Sequence, residues 1–354
     1  MSYNRFATPR AYMDLISYTL ATGWKDLDDI ITIQNDNSTA VTFDAGSEGS
    51  MFDLKPANYA QIANTNQAFH ITFNMGLNGA LAESNYLAIL NHNFHDADVF
   101  FKVQVSSSSD FSSNVTTVST NGNHTKVVNC GSNASGGNAD FLDVSSNGWT
   151  LLTWGTVESN NRYVRITFKD SGGASVNFNE DVIIGSIMMG EYLDFPQSPE
   201  LEIKTTIDYG GNIMKQSLGG NTYSSSTHLG QPTWSHVTPW NNSTLANQET
   251  YSFAQRHGRI NHSLNFKYLD ESEVFSSNAG SVIGDFSGWF DSDSLHNAFY
   301  NRILGQRLPF LFCTDGASAI ISDYGLFRLG SSEFTATQVA NRVYDVSMSL
   351  TETW

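Results

Sequence analysis

The sequence predicts a mainly β protein: an N-terminal β-sandwich followed by a smaller β-rich α+β domain with one main helix. Three observations carry this. Short runs of β-branched and aromatic residues recur from about residue 30 onward, each bounded by Asn, Gly or Ser. Only 15% of residues are charged while 12% are aromatic and Gly occurs 28 times, a balance suited to pleated strands joined by polar turns. One long segment, DSDSLHNAFYNRILGQ at 291–306, has a capped helical pattern.

Residues 1–29 read as a lead-in segment. Within it AYMDLISYTLAT (11–22) is expected to be a short helix, because Tyr12, Ile16 and Leu20 recur at i, i+4 and i+8 and Gly23 is placed to end it. Residues 30–195 read as the sandwich, with strands at ITI, AVTF, AFHITFNM, NYLAIL, TKVVNC, WTLLTW, YVRITF and VIIGSIMMG. Val99, Phe101, Val103 and Val105 alternate with Phe100, Lys102, Gln104 and Ser106, the period of a half-buried strand. Val164, Ile166 and Phe168 are expected to face inward, Arg165 and Thr167 outward.

GEYLDFPQSPELE holds two prolines, Pro196 and Pro199, among acidic residues and places a boundary near residue 195. Residues 196–354 then form the second domain, whose Gly/Ser/Thr/Asn-rich stretch at about 208–248 reads as an extended arm. HSLNFKYLD, RLPFLFCTD and YGLFRLG read as strands. At 293–304 a helix is expected, capped by Ser292 or Ser294, with Leu295, Phe299 and Ile303 on one face and Gly305 ending it. The final strand alternates Tyr344, Val346, Met348 and Leu350 with polar residues.

Charge and motifs narrow the function. Lys+Arg 18 against Asp+Glu 35 leaves −17, which argues against nucleic acid and anionic membranes as partners. Cys130 and Cys313 stand in no paired motif and read as ordinary thiols. HNFHDAD, from His92 to Asp98, packs metal-ligand residue types together, but a spacing of three aligns side chains only on a helix and this segment joins two strands. The residues therefore favour a polar turn, with His92 closing a strand. Asp96 and Asp98 remain the calcium candidates, with Asp110 and Asp140 as further oxygen donors. The chain contains no G-x-S-x-G, P-loop, H-E-x-x-H or G-x-G-x-x-G, so neither an enzyme nor a cofactor is expected. Trp234 and Trp240, in QPTWSHVTPW, are interface candidates, read first as partner anchors, then as own-domain packing or a sugar platform.

NYLAILNHNF, VFFKVQVSSSSDF, NRYVRITFKD and VIIGSIMMGEYLDFP together resemble the discoidin-like (galactose-binding-like) jelly-roll module of tailed-phage virion proteins. HSLNFKYLDESE, LPFLFCTDG and NRVYDVSMSLTE look like the tail-associated domain that follows such modules. The resemblance implies a jelly-roll sandwich with the LNHN histidine, His92, in its framework. It also implies a structural component of the virion tail or baseplate, made in the host cytoplasm and acting through contacts with its own copies and other tail proteins. A glycan-binding module recognising a host-surface glycan is the alternative expectation, and a glycoside hydrolase a weaker one.

Overall fold

A computed structural model of the chain describes residues 6–36, 38–74, 84–120, 122–132, 140–155, 162–171, 176–209, 212–226, 258–275 and 294–353. The strand-rich first half forms two antiparallel sheets packed face to face. One has the order Cys130–Ser132, Leu142–Val144, Val99–Ser106, Tyr163–Asp170, Phe69–Asn74 and Ile31–Asn35, with Thr116–Thr117 added beside Val99–Ser106. Facing it are His124–Val128, Trp149–Trp154, Tyr86–His92 and Val182–Asp194. Successive strands alternate between the sheets: Phe69–Asn74, Tyr86–His92 and Val99–Ser106 interleave with Trp149–Trp154, Tyr163–Asp170 and Val182–Asp194. This is the connectivity of a jelly roll.

Between the sheets, Phe69, Ile71, Val103, Ile166 and Phe168 meet Leu87, Ile89, Leu152, Ile187 and Met189. Phe69 and Phe168 stack with centroids 4.7 Å apart. The intervening side chains of the seven-stranded sheet turn outward, as the period-two pattern predicts.

Tyr86–His92 and Trp149–Trp154 do not alternate; every side chain in both is buried. Strands covered on both faces read as continuous apolar runs, and a second core supplies the cover. The larger sheet has 13 strands and continues from Val182–Asp194 through Arg10–Asp14, Phe310–Cys313, Tyr324–Leu329, Val343–Glu352 and Arg259–Asp270 to Lys204–Asp208. Trp149 lies five strands from Tyr324, roughly 24 Å in a flat sheet, yet their rings are 5.5 Å apart. The sheet therefore curls onto itself. Lys126, on the far edge strand, donates to the carbonyls of Gly316 and Ser318 across the closure.

Position 195 lies inside this second core. Phe195 stacks on Phe266 at 5.2 Å and meets Phe299 and Phe312 edge-on. The expected boundary coincides with the end of the Val182–Asp194 strand, and the sheet crosses it through Arg10–Asp14.

The lead-in segment differs from the helix expected over 11–22. Arg10–Asp14 is a strand and the helix spans Leu15–Thr22. Asp14 makes the switch: its carboxylate accepts from Ile16 N and Ser17 N at 3.2 Å, capping the helix, and from Met189 N at 3.1 Å, tying the cap to the sheet. Residues before the cap are free to extend and pair. Gly23, at φ +69°, ends the helix as expected.

The second expected helix is also altered. Ser294 caps it, accepting from Asn297 N at 3.4 Å, but Leu295–Asn301 is a seven-residue π-helix. It runs into turns closed by Gly305 N donating to Tyr300 O at 2.9 Å. Leu295, Phe299 and Ile303 are buried together as their spacing predicts. Arg302, buried beneath them, pairs with Glu191 of the shared sheet.

Two consequences can be measured. A Cβ on Gly190 would lie 2.3 Å from Met13 O and 2.8 Å from Leu15 N, so Gly190→Ala forces backbone apart and should cost about 1–3 kcal/mol or more. A melting temperature lowered by several degrees checks it. The second concerns acid. Burial lowers His92 to about 3 and His262 to about 4, so folding favours their neutral forms. That stability is full above the ordinary imidazole value of 6.5 and is lost as pH falls toward 3. Asp14, raised by burial to about 6, acts in the opposite sense, its contribution lost as pH rises through 6. The two histidine shifts outweigh the one carboxyl, so denaturation midpoints should fall from pH 7 to pH 4, and His92→Gln should flatten that slope.

Candidate functional site

The His92–Asp98 segment is a strand end followed by turns. His92 stacks on Phe94 at 4.2 Å and accepts from Phe94 N at 3.4 Å. Asn93 bridges to the neighbouring strand, donating to Asp181 O and accepting from Ile183 N at 2.8 Å. His95 Nδ1 lies 3.3 Å from Val144 O, Asp96 N donates to Asn93 O, and Asp98 accepts from Ser171. Asp110 is held by Ser108 and Ser112, and Asp140 by Thr120. Among the described residues no group of three or more His, Cys, Asp or Glu is arranged to hold a metal ion. Asp96 and Asp98 are thus placed in a partly buried turn whose side chains tie it to neighbouring segments, Asp98 to Ser171 and Asn93 to Asp181 and Ile183.

Trp234 and Trp240 lie outside the described residues. Part of the expected arm is a hairpin, Asn212–Gln216 against Thr222–Ser226, turning through Gly220 at φ +84°. It forms its own two-stranded sheet and exposes Met214, Leu218 and Tyr223.

The polar side chains of the molecule converge elsewhere, on the outer face of the seven-stranded sheet. Register sets them in rows across the strands. Gln34, His70, Thr167 and Lys102 form one row; Thr32, Thr72, Arg165, Gln104 and Thr117 form the next. Their alternate neighbours fill the sandwich core, so packing on one face fixes the positions of these groups on the other. A cavity of about 580 Å³ lies over the rows, lined by Gln34, Asp36, His70, Lys102, Gln104 and Arg165 among others. A second, of about 280 Å³, continues it past Thr32, Thr72, Asn74 and Tyr163. Both share Gln34, Ser109 and Arg165, which makes one trough.

Arg165 organises the trough. Its Nε donates to Thr72 Oγ1 at 3.2 Å, a second nitrogen reaches Ser109 O at 3.4 Å, and its guanidinium lies 4.0 Å from the centroid of the Phe111 ring. Ser109 and Phe111 belong to the connection after Val99–Ser106, so this contact holds the connection over the sheet. Asp110, between them, is pulled down to about 2 by hydrogen bonds from Ser108 and Ser112 and is an anion at any ordinary pH. Burial lowers the pKa values of His70 and Lys102; Arg165 adds to both shifts, while Asp36 opposes both and Asp140 opposes that of Lys102. The trough can therefore offer amide, hydroxyl, imidazole, guanidinium, ammonium and carboxylate groups to one ligand. Sequence reading placed Arg165 and Thr167 on an outward face but did not bring that face together with Gln34 and His70. The available signal was the run of polar residues at alternate positions of four strands, whose pairing order only the fold reveals.

Scanned against known families, the chain matches no family model, and no curated protein matches it either. Three solved structures are similar to it at low identity. A chitosan-binding module from a chitosanase/glucanase of Paenibacillus sp. IK-5 shares 15% identity over 51% of this chain and 99% of that one, with a TM-score of 0.30. A family 89 glycoside hydrolase from Clostridium perfringens shares 13% identity over 46% of this chain and 14% of that one, with a TM-score of 0.23. A truncated AlyQ with CBM32 and alginate lyase domains shares 12% identity over 92% and 91%, with a TM-score of 0.24. None of the three is described as a virion component, and none transfers a ligand to this chain at such distance.

Proposed function

We propose that this protein binds carbohydrate along the outer face of its seven-stranded sheet. The observation that carries the reading is the trough. It is elongated, open, and lined by side chains that pair with hydroxyl groups as donors, acceptors or both: Gln34, Gln104, His70, Thr167, Arg165 and Asp110. Sugars present dense hydroxyl arrays, and planar amide, guanidinium and carboxylate groups fixed in rows on a rigid sheet recognise them with little loss of side-chain freedom. Tyr163 adds an aromatic ring at the far end, the type of surface against which a pyranose stacks. Of the expectations drawn from sequence, this is the glycan-binding alternative.

Subunit assembly in a virion tail, the first expectation, is a second reading, favoured by the apolar side chains that the hairpin exposes at Met214, Leu218 and Tyr223. The two are compatible, since a tail component can carry a glycan-binding face.

The trough is tested by affinity electrophoresis of the whole chain through gels containing a panel of polysaccharides. At least one polymer should retard it. Gln34→Ala with Gln104→Ala should weaken that retardation by about tenfold, the scale of losing two hydrogen bonds, while the melting temperature changes little. Migration unaltered by every polymer, or by the substitutions, would sink the reading.

A further inference from the structure

Among the described residues the 13-stranded sheet ends on Lys204–Asp208, which pairs with Arg259–Asp270 and with no other strand. The ladder behind it fixes which of its backbone groups face outward. Ile260 N donates to Glu352 Oε2 at 2.9 Å, while on the other side of the last strand Thr353 N donates to Leu326 O and Ser349 O accepts from Gly330 N. Backbone groups of a strand point alternately to its two neighbours. Ile260 and His262 therefore turn toward Val343–Glu352, and Arg259, Asn261 and Ser263 turn toward Lys204–Asp208. Their partners Asp208, Thr206 and Lys204 are bonded inward. The N–H and C=O groups of Thr205 and Ile207 face the open edge, where a further strand can pair with them.

The side chains of this edge are arranged symmetrically about Thr206. Thr205 and Ile207 flank it, then Lys204 and Asp208, then Ile203 and Tyr209. Antiparallel pairing with the same strand of a second copy, centred on Thr206, sets Thr205 opposite Ile207, Lys204 opposite Asp208 and Ile203 opposite Tyr209. The backbone agrees with this register. Thr205 and Ile207, whose groups face outward, exchange both of their bonds, and Lys204 meets Asp208 at a non-hydrogen-bonded position, where side chains lie closest. None of the three ion pairs among the described residues involves Lys204 or Asp208. Ile203 packs against the second core, Thr205 Oγ1 lies 3.0 Å from His262 Nδ1, and Ile207 stands exposed on the same face. Pairing thus continues that core across the two-fold axis.

We propose that this edge is a self-association surface whose partner is a second copy of the chain, docked by two-fold antiparallel pairing of Lys204–Asp208 with itself. A foreign strand would gain the same backbone bonds without the charge match. Moving the centre by two residues either way sets Lys204 against Lys204 or Asp208 against Asp208, and moving it by one separates the opposite charges. Charge therefore selects the register centred on Thr206. The net charge of −17 does not forbid the contact, because exposed charges farther apart than about 8 Å are largely screened at physiological salt. Main-chain bonds supply the affinity of such strand additions. With a strand of five residues, the dimer is weak and depends on concentration.

The experiment is sedimentation velocity of the full chain at physiological salt, over concentrations up to on the order of 100 μM, which reveals a Kd in the micromolar range. The wild type should pass from monomer to dimer. Lys204→Asp alone and Asp208→Lys alone each set like charges opposite one another twice and should weaken the dimer about tenfold or more. The two single variants mixed together, or both substitutions in one chain, restore opposite charges and should associate as the wild type does. Melting curves establish that each variant is folded. Thr206→Cys, which alters no charge, gives an independent reading. Cα atoms of a non-hydrogen-bonded pair lie about 4.5 Å apart, within disulfide reach, so oxidised glutathione should link two copies through it, taking up the electrons as two glutathione thiols, and leave the wild type unlinked. A wild type that stays monomeric would overturn the proposal. So would a dimer indifferent to both single variants, which would place the contact elsewhere, a failure of the mixed variants to associate, or a Thr206→Cys chain that does not link.

Discussion

The structure depends on one backbone ladder, that of Arg10–Asp14. On one side this strand pairs with Val182–Asp194, Tyr12 opposite Tyr192; on the other it pairs with Phe310–Cys313, Tyr12 opposite Leu311. Without it the jelly roll and the C-terminal strands would be separate sheets with exposed edges, each a row of unpaired amides. Its side chains make the join specific. Tyr12 meets Tyr86, Tyr192 and Tyr324, and Arg10 grips Asp194 with two nitrogens at 2.6 and 2.7 Å while lying 3.9 Å over the Tyr192 ring. The ladder is also what allows the large sheet to curl, and the curl covers the second face of Tyr86–His92 and Trp149–Trp154.

This arrangement divides labour between the two faces of the sandwich. In the large sheet Tyr86–His92 and Trp149–Trp154 are buried on both faces and leave no surface for a ligand there. The seven-stranded sheet keeps one face in solvent, and that is where the trough lies. Residues in it are positioned from behind: Ile71, Val103 and Ile166 fill the core, and their neighbours Thr72, Lys102 and Arg165 inherit fixed spacings.

Much of this was legible in the sequence where a local rule applied. Alternation in Val99–Ser106 and Tyr163–Asp170 named the inward residues, although Phe100 and Ser106 on the other side are buried as well; Gly23 marked an end and Ser294 a beginning, while the helix expected to reach Gly305 stops at Asn301. What local rules missed was long-range. Nothing in AYMDLISYTLAT says that its first residues will find strand partners at both 190 and 311, and a helical spacing of Tyr12, Ile16 and Leu20 is equally served by a strand that hands over to a helix at an Asp cap. The trough was illegible for a related reason. Gln34, His70, Lys102 and Arg165 are scattered over some 130 positions and meet only through strand order, whereas HNFHDAD drew attention because its polar groups are adjacent in sequence. The polar groups of that turn tie it to distant segments, Asn93 to Asp181 and Ile183 and Asp98 to Ser171.

The central ladder also sets a clock. Arg10 must wait for Cys313, its partner 303 positions later, and at a synthesis rate of about 5–20 residues per second that interval is roughly 15–60 s on the ribosome. During it the jelly roll can close around its first core, but Leu90, Trp149, Leu151 and Met188, which face the second core, have no cover until the C-terminal strands emerge. A nascent chain of this protein thus presents an apolar sheet face for the time scale on which holdase chaperones act, and its yield in a cell will be decided by what shields that face rather than by the stability of the finished fold.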